Sequence, residues 1–124
     1  MTKAPHTIGA DQPLREAERR MHEFRVRHLP VLAGGRLVGL LSDRDIALVA
    51  SLPNVDVESL KVSDAMSQDP YAVTSNAPLD EVAETMARHR YGSAVVVDGG
   101  EVKGVFTTTD ALRALAEYIR RYAS

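Results

Sequence analysis

An internal repeat constrains this chain more than any other feature of its sequence. At an offset of 65 residues the first half aligns with the second without a gap, from Met1 with Met66 to Asp45 with Asp110. Many identical pairs are glycine or proline, which fix backbone geometry: Pro5/Pro70, Pro13/Pro78, Gly34/Gly99, Gly35/Gly100 and Gly39/Gly104. Two copies with a period above the roughly 20 to 50 residues of solenoid repeats indicate a duplicated half-domain rather than an open array.

Each copy has the same predicted order of elements. A short extended segment precedes a Pro-Leu pair, after which apolar residues recur at helical spacing, as at Leu14, Ala17 and Met21. Two β-type runs then flank a Gly-Gly pair, which signals a hairpin because type I′ turns need a positive φ at both central residues. A second helix follows. The prediction for each copy is β-α-β-β-α, in an α/β fold of α+β-like character.

The boundary between the copies falls near residue 60. Residues 1–60 form the first repeat and residues 61–124 the second. The second begins with residues 61–66, called here the lead-in segment, which have no counterpart before Met1. We therefore expect the first repeat to lack a lead-in helix and to be the less closed of the two.

The last predicted helix runs from Asp110 to about Tyr122. Its apolar residues Leu112, Leu115 and Ile119 lie on one stripe. Most of that stripe is expected to be core within the chain, and part of it a dimer surface.

Composition excludes several classes of function. The chain has 15 Lys and Arg against 17 Asp and Glu, with no basic stripe, which argues against a nucleic-acid binder. It has no cysteine, which removes thiolate nucleophiles and cysteine metal sites. No apolar run approaches the roughly 20 residues of a membrane span, and the first residues lack the apolar core of a signal peptide. We expect a cytoplasmic protein with no membrane contact.

A hydroxyl residue followed three positions later by aspartate ends the hairpin of each copy, as Ser42 with Asp45 and Thr107 with Asp110. Such a pair at a helix start resembles a capping box, in which each side chain satisfies a backbone N–H group. A functional interpretation starts from the same geometry. A helix N-terminus attracts anions, and a carboxylate on its first turn accepts hydrogen bonds from ribose hydroxyls.

Motifs for catalysis are absent from the sequence. It has no G-x-S-x-G elbow, no Walker lysine motif and no zinc-ligand signature. The four histidines do not have metal-ligand spacing either. We therefore predict no enzyme activity, no catalytic residues and no metal site.

The tandem repeats, each with Gly-apolar-apolar-Ser/Thr-x-x-Asp at residues 39–45 and 104–110, resemble a pair of CBS domains, the Bateman module named after cystathionine β-synthase. The resemblance implies two repeats packed with pseudo-twofold symmetry and clefts that bind AMP, ADP, ATP, S-adenosylmethionine or NAD, with no obligatory cofactor. It also implies a homodimer and a regulatory, energy-sensing role exerted through conformation or assembly on an unidentified protein partner. The alternative is an interaction module whose pockets stay empty.

The same resemblance assigns roles to individual residues. Asp45 and Asp110 would hold ribose hydroxyls, while Ser42, Arg44, Thr107 and Thr109 would meet phosphate. The adenine contacts that it implies come from the first strand of each repeat and from the residues that lead into the hairpin: Thr7, Ile8, His28 and Pro30 in the first repeat, and Val73, Thr74, Tyr91, Gly92, Ser93 and Ala94 in the second.

Overall fold

The computed structural model describes residues 6–122. By their contacts they form two compact units, His6–Pro70 and residues 71–122, called here the first and the second unit. The first unit contains β1 (Ile8–Gly9), α1 (Leu14–Phe24), β2 (His28–Ala33), β3 (Arg36–Ser42), α2 (Asp43–Ala50), a 3-10 turn (Val57–Ser59), α3 (Val62–Ala65) and β4 (Ser67–Gln68). The second contains β5 (Ala72–Val73), α4 (Leu79–His89), β6 (Ser93–Asp98), β7 (Glu101–Thr107) and α5 (Thr108–Tyr122). The predicted mixed α and β architecture with a repeated β-α-β-β-α order is confirmed.

The sheets of the two units follow one plan. The first has the strand order β1-β2-β3-β4 and the second β5-β6-β7. In each, the short first strand pairs in parallel with the hairpin, whose two strands are antiparallel. The turn residues Gly34, Gly35, Gly99 and Gly100 all have a positive φ, between 58° and 80°. The hairpin prediction is therefore confirmed, because an L side chain is strained at those positions.

The first helix of each unit starts and stops at equivalent residues. Pro13 and Pro78 are the N-caps of α1 and α4. Arg25 and Arg90 end the two helices in the left-handed conformation, with φ of 56° and 59°. A left-handed residue after the last helical turn reverses the chain, which here leads directly into the hairpin.

The lead-in segment packs inside the first unit. Its Val62 is fully buried and belongs to the same apolar cluster as Leu14, Leu29 and Leu41. The boundary at residue 61 follows the repeat in the sequence, whereas the contacts place residues 61–70 with the first unit. The expectation that the first repeat would be the less closed one for want of a lead-in helix is wrong, because α3 covers the first unit.

The apolar face of α5 departs from the sequence-based expectation. The stripe was expected to be mostly core, and this is wrong: no described residue of α5 is buried. Leu112, Leu115 and Ile119 are between 50% and 65% exposed. Met21 and Met86, at equivalent positions of α1 and α4, are buried as the helical spacing predicts. No helix among residues 6–122 is long and apolar enough to cross a membrane.

Candidate functional site

A complete capping box joins β3 to α2 in the first unit. The Ser42 backbone N–H donates to Asp45 Oδ2 at 2.9 Å, and the Asp45 N–H donates to Ser42 Oγ at 3.1 Å. These reciprocal bonds satisfy two donors and fix the rotamers of both side chains. They use only one carboxylate oxygen of Asp45, so the other stays available as an acceptor.

The equivalent box joins β7 to α5 in the second unit. The Thr107 N–H donates to Asp110 Oδ2 at 2.9 Å, and the Asp110 N–H donates to Thr107 Oγ1 at 3.2 Å. The Thr107 hydroxyl also lies 3.1 Å from Asp110 Oδ2. The capping interpretation of the repeated motif is therefore confirmed in both units, and a ligand would meet carboxylates that the backbone already holds in place.

Carbonyl groups at the strand starts take up a further helix donor in each unit. The Asp43 N–H donates to Arg27 O at 3.0 Å, and the Thr108 N–H donates to Gly92 O at 3.1 Å. Arg27 and Gly92 are equivalent at the 65-residue offset, the only signal that could have pointed to Arg27. Because two of the first three amide groups of each helix are satisfied, a phosphate would depend mainly on side chains.

The first unit brings several of its predicted ligand residues to one end of the sheet. His28 lies opposite Ser42 in the β2–β3 register, next to the capping box. Thr7 directly precedes β1, where Ile8 pairs with Val31 of β2. The side chains of Ile8 and Pro30 are buried in the core, which leaves their backbone to face a ligand. Arg44 is exposed on the first turn of α2.

The second unit repeats this placement with different chemistry. Ser93 lies opposite Thr107 at the start of the hairpin, and both Ser93 and Ala94 have buried side chains. Val73 pairs with β6, whereas the side chains of Thr74, Gly92 and Thr109 are exposed. Tyr91 stacks on His89 with ring centroids 5.1 Å apart and packs against Tyr71 at 5.2 Å. The aromatic cluster at the hairpin start has no counterpart in the first unit, where residue 26 is Val and residue 6 is His.

Charged side chains hold the segments that carry Thr7 and Thr74. Arg20 donates to Thr7 O at 2.7 Å and to Glu16 at 3.2 Å. Hydrogen bonds from Arg19 and then Arg20 lower the pKa of Glu16 to about 2. In the second unit the Ser75 N–H donates to Asp98 at 3.0 Å, and this bonding holds the pKa of Asp98 below its ordinary value. Both segments are thus fixed without a ligand.

His28 is the titratable group most affected by its surroundings at the first box. Burial disfavours the imidazolium form and lowers the pKa of His28 below the ordinary value of 6.5, while the carboxylates of Asp43 and Asp45 oppose this shift and Arg27 adds to it. A group whose pKa is lower in the folded chain binds more protons when unfolded. The free energy of unfolding therefore falls as the pH drops below about 6.5 toward the folded-state pKa.

We expect His28→Gln to remove this contribution. Between pH 7.5 and pH 5, the free energy of unfolding from urea titrations will fall less in His28→Gln than in the parent chain. The exposed His22→Gln provides the control and should behave like the parent. An equal fall in His28→Gln and the parent would show that His28 does not titrate on unfolding.

An open surface cavity of about 650 Å³ lies beside this region and is lined by Met21, His22, Glu23, Arg25, Val26 and Arg27. It adjoins the first box through Arg27, whose carbonyl accepts from Asp43. Among residues 6–122, no three His, Asp or Glu side chains are grouped so that they could hold a metal ion.

Comparison with known proteins decides the family. The CBS domain profile matches residues 1–51 and 62–117, which is most of the chain. The chain belongs to the CBS domain family. The two matched segments correspond to the two β-α-β-β-α repeats, so the prediction of a tandem CBS pair is confirmed.

Similar CBS proteins differ in size and setting. The CBS domain-containing protein YhcV of Bacillus subtilis is 31% identical over 110 residues, which cover 89% of this chain and 78% of that protein. An inosine-5′-monophosphate dehydrogenase of Korarchaeum cryptofilum is 32% identical over 105 residues, covering 84% of this chain and 21% of the enzyme. Among solved structures, the CBS domain pair of protein MJ0100 in complex with 5′-methylthioadenosine and S-adenosyl-L-methionine is 26% identical. It covers 92% of this chain and 93% of that chain with a TM-score of 0.81.

Proposed function

We propose that this chain is a regulatory module, not an enzyme, that binds an adenosine-containing ligand such as AMP, ADP, ATP or S-adenosylmethionine. The observation that carries the proposal is the repeated box, which holds a carboxylate on the first turn of a helix in both units. Such a carboxylate accepts hydrogen bonds from vicinal ribose hydroxyls. The ligands of the MJ0100 pair, both built on adenosine, support the same class.

The ribose and the base are the parts of the ligand that the site selects most strongly. Because the boxes and the strand-start carbonyls occupy most helix-start donors, phosphate contacts fall to Arg44 in the first unit and Thr109 in the second. Each is exposed, and exposed ionic contacts contribute about 0.2–1 kcal/mol. We infer that AMP, ADP and ATP differ modestly in affinity, whereas loss of a ribose hydroxyl weakens all of them.

The test is a thermal-shift and calorimetric titration of the full chain with AMP, ADP, ATP, S-adenosylmethionine, NAD and 2′-deoxy-AMP. A site saturated at about 100 times its Kd adds about 2.7 kcal/mol of stability, which raises the Tm by several degrees. Asp45→Asn and Asp110→Asn keep an oxygen for the capping bond but remove the second carboxylate acceptor. We expect one or both to abolish the shift.

A matched control comes from the lead-in segment. Asp64 accepts a hydrogen bond from the Lys61 N–H at 2.8 Å, in the same capping position on α3. Asp64→Asn should therefore change stability as the other two variants do and leave ligand binding intact. If no adenosine compound shifts the Tm of protein free of bound nucleotide, the alternative is supported: an interaction module in which the boxes only cap helices.

We further propose that the module acts as a homodimer through α5. Five large apolar side chains on this helix are at least half exposed, and their self-association is the simplest way to bury them: Leu112, Leu115, Tyr118, Ile119 and Tyr122. A ligand would then signal to a partner protein by favouring one arrangement of the assembly over another.

A further inference from the structure

The two units leave the same leucine in different environments. Leu14 and Leu79 are equivalent, and each is the first residue of a helix that follows a proline N-cap. Leu14 is fully buried, whereas Leu79 is 51% exposed. The difference therefore arises from what packs against each leucine.

Residues 60–66 cover Leu14. The Leu14 N–H donates to Leu60 O at 2.9 Å, and the Val62 N–H donates to Gln12 O at 2.9 Å. The Ser63 N–H also donates to Ala10 O, at 3.0 Å. Val62 itself is fully buried. The first unit thus shows how its helix start is closed: by an extended segment with main-chain hydrogen bonds and an aliphatic anchor.

The second unit presents the same groups without that cover. The counterparts of Leu14 N–H, Gln12 O and Ala10 O are Leu79 N–H, Ala77 O and Ser75 O. Within residues 6–122, no hydrogen bond from another segment reaches these three groups. The 65-residue offset places the counterpart of residues 60–65 before Met1, so the printed sequence supplies no second covering segment.

We propose that the start of α4, formed by Ser75, Ala77 and Leu79, is a docking site for an extended aliphatic segment of a partner protein. The chemistry of the segment follows from the occupied counterpart: main-chain donors and acceptors for the three groups, and aliphatic side chains spaced as Leu60 and Val62 are. A second copy of this chain is the weaker occupant. Its own Val62 is buried in its first unit and would have to be withdrawn, exposing Leu14.

One charge distinguishes the proposed segment from residues 58–66 of this chain. In the first unit Arg15 pairs with Glu58 at 3.3 Å. The counterpart of Arg15 is Asp80, an acid in the first turn of α4. The partner segment should therefore carry a basic residue where this chain has Glu58. Exposed pairs of this kind change affinity by a few fold, while the aliphatic anchor supplies the greater part of the binding.

The test is a titration of the ¹⁵N-labelled full chain with a nine-residue peptide that copies residues 58–66 with the change Glu58→Lys. We expect saturable shifts of the amide signals of residues 75–82, absent in the Leu79→Ser variant. The unchanged copy of residues 58–66 should bind a few fold more weakly. A peptide that also carries Val62→Ser should not bind.

Attachment of the same peptide sequence before Met1 removes the dependence on weak affinity. The tethered chain should melt several degrees above the parent, and Leu79→Ser should cancel the gain. If neither the free nor the tethered peptide affects the start of α4, or if the shifts fall on α1 instead, the proposal is overturned. An oligomer of the parent chain that Leu79→Ser dissociates would assign the site to a second copy and overturn the choice of a partner protein. None of these results depends on nucleotide binding.

Discussion

Leu14→Ala will lower the free energy of unfolding by about 2–5 kcal/mol, the cost of removing a buried leucine and leaving a cavity. Leu79→Ala, the same substitution at the equivalent position, will cost less than about 1 kcal/mol, because about half of that side chain is already in water. Both residues open a helix after proline, so helix propensity changes equally in the two variants. Urea unfolding of the parent and the two variants measures the difference.

A third variant connects this difference to its cause. Val62→Ala removes part of the cover over Leu14 and should lower stability by about 1–3 kcal/mol, since Val62 is fully buried. Combined with Leu14→Ala, its effect should be non-additive, because the two side chains belong to one apolar cluster. Equal costs for Leu14→Ala and Leu79→Ala would contradict the packing described for the lead-in segment.

The leucine pair also shows what the sequence can predict. Helical spacing identified α1 and α4, and the Gly-Gly pairs identified both hairpins, because these signals are local to the residues that form the element. The identity of Leu14 and Leu79 predicts equal burial. Their exposure depends instead on a segment some 45 residues away in the chain, whose packing partner the repeat pattern does not specify.

The candidate site was predictable in part for the same reason. Ser42 with Asp45 and Thr107 with Asp110 form the capping boxes that their spacing indicates, since a box involves residues only three apart. The carbonyl of Arg27 was missed because a main-chain acceptor leaves no trace in side-chain type. The expected burial of the α5 stripe was wrong because an apolar helix face has the same pattern whether it packs within a chain or against another molecule.

The exposed stripe of α5 leads to the prediction with the largest effect on assembly: Leu115→Glu will convert a dimer into a monomer. The helix spans Thr108–Tyr122, so Leu115 lies at its midpoint. In a twofold antiparallel pair of such helices, each residue 115 meets its own counterpart in the second copy. Two carboxylates would then be buried side by side in an apolar contact, which opposes association through both desolvation and repulsion.

The antiparallel pair is favoured by features of the helix itself. It carries Asp110 in its first turn and Arg120 and Arg121 in its last, so the acidic start of one copy lies near the basic end of the other. The helix dipoles also oppose each other in this arrangement. Burial of each leucine, isoleucine or tyrosine in the stripe is worth about 1.5–3 kcal/mol before the cost of association is subtracted.

Sedimentation velocity over a concentration series provides the measurement. The parent chain, of 13.5 kDa, should sediment with twice that mass, and Leu115→Glu with the single mass. Ala114→Glu is the matched control: it adds the same charge at the neighbouring exposed position, which the helical rotation of about 100° per residue turns away from the stripe. A dimer that persists in Leu115→Glu, or dissociates equally in both variants, would rule out α5 as the interface. Monomeric parent protein would rule out the homodimer itself and leave the stripe to a different protein.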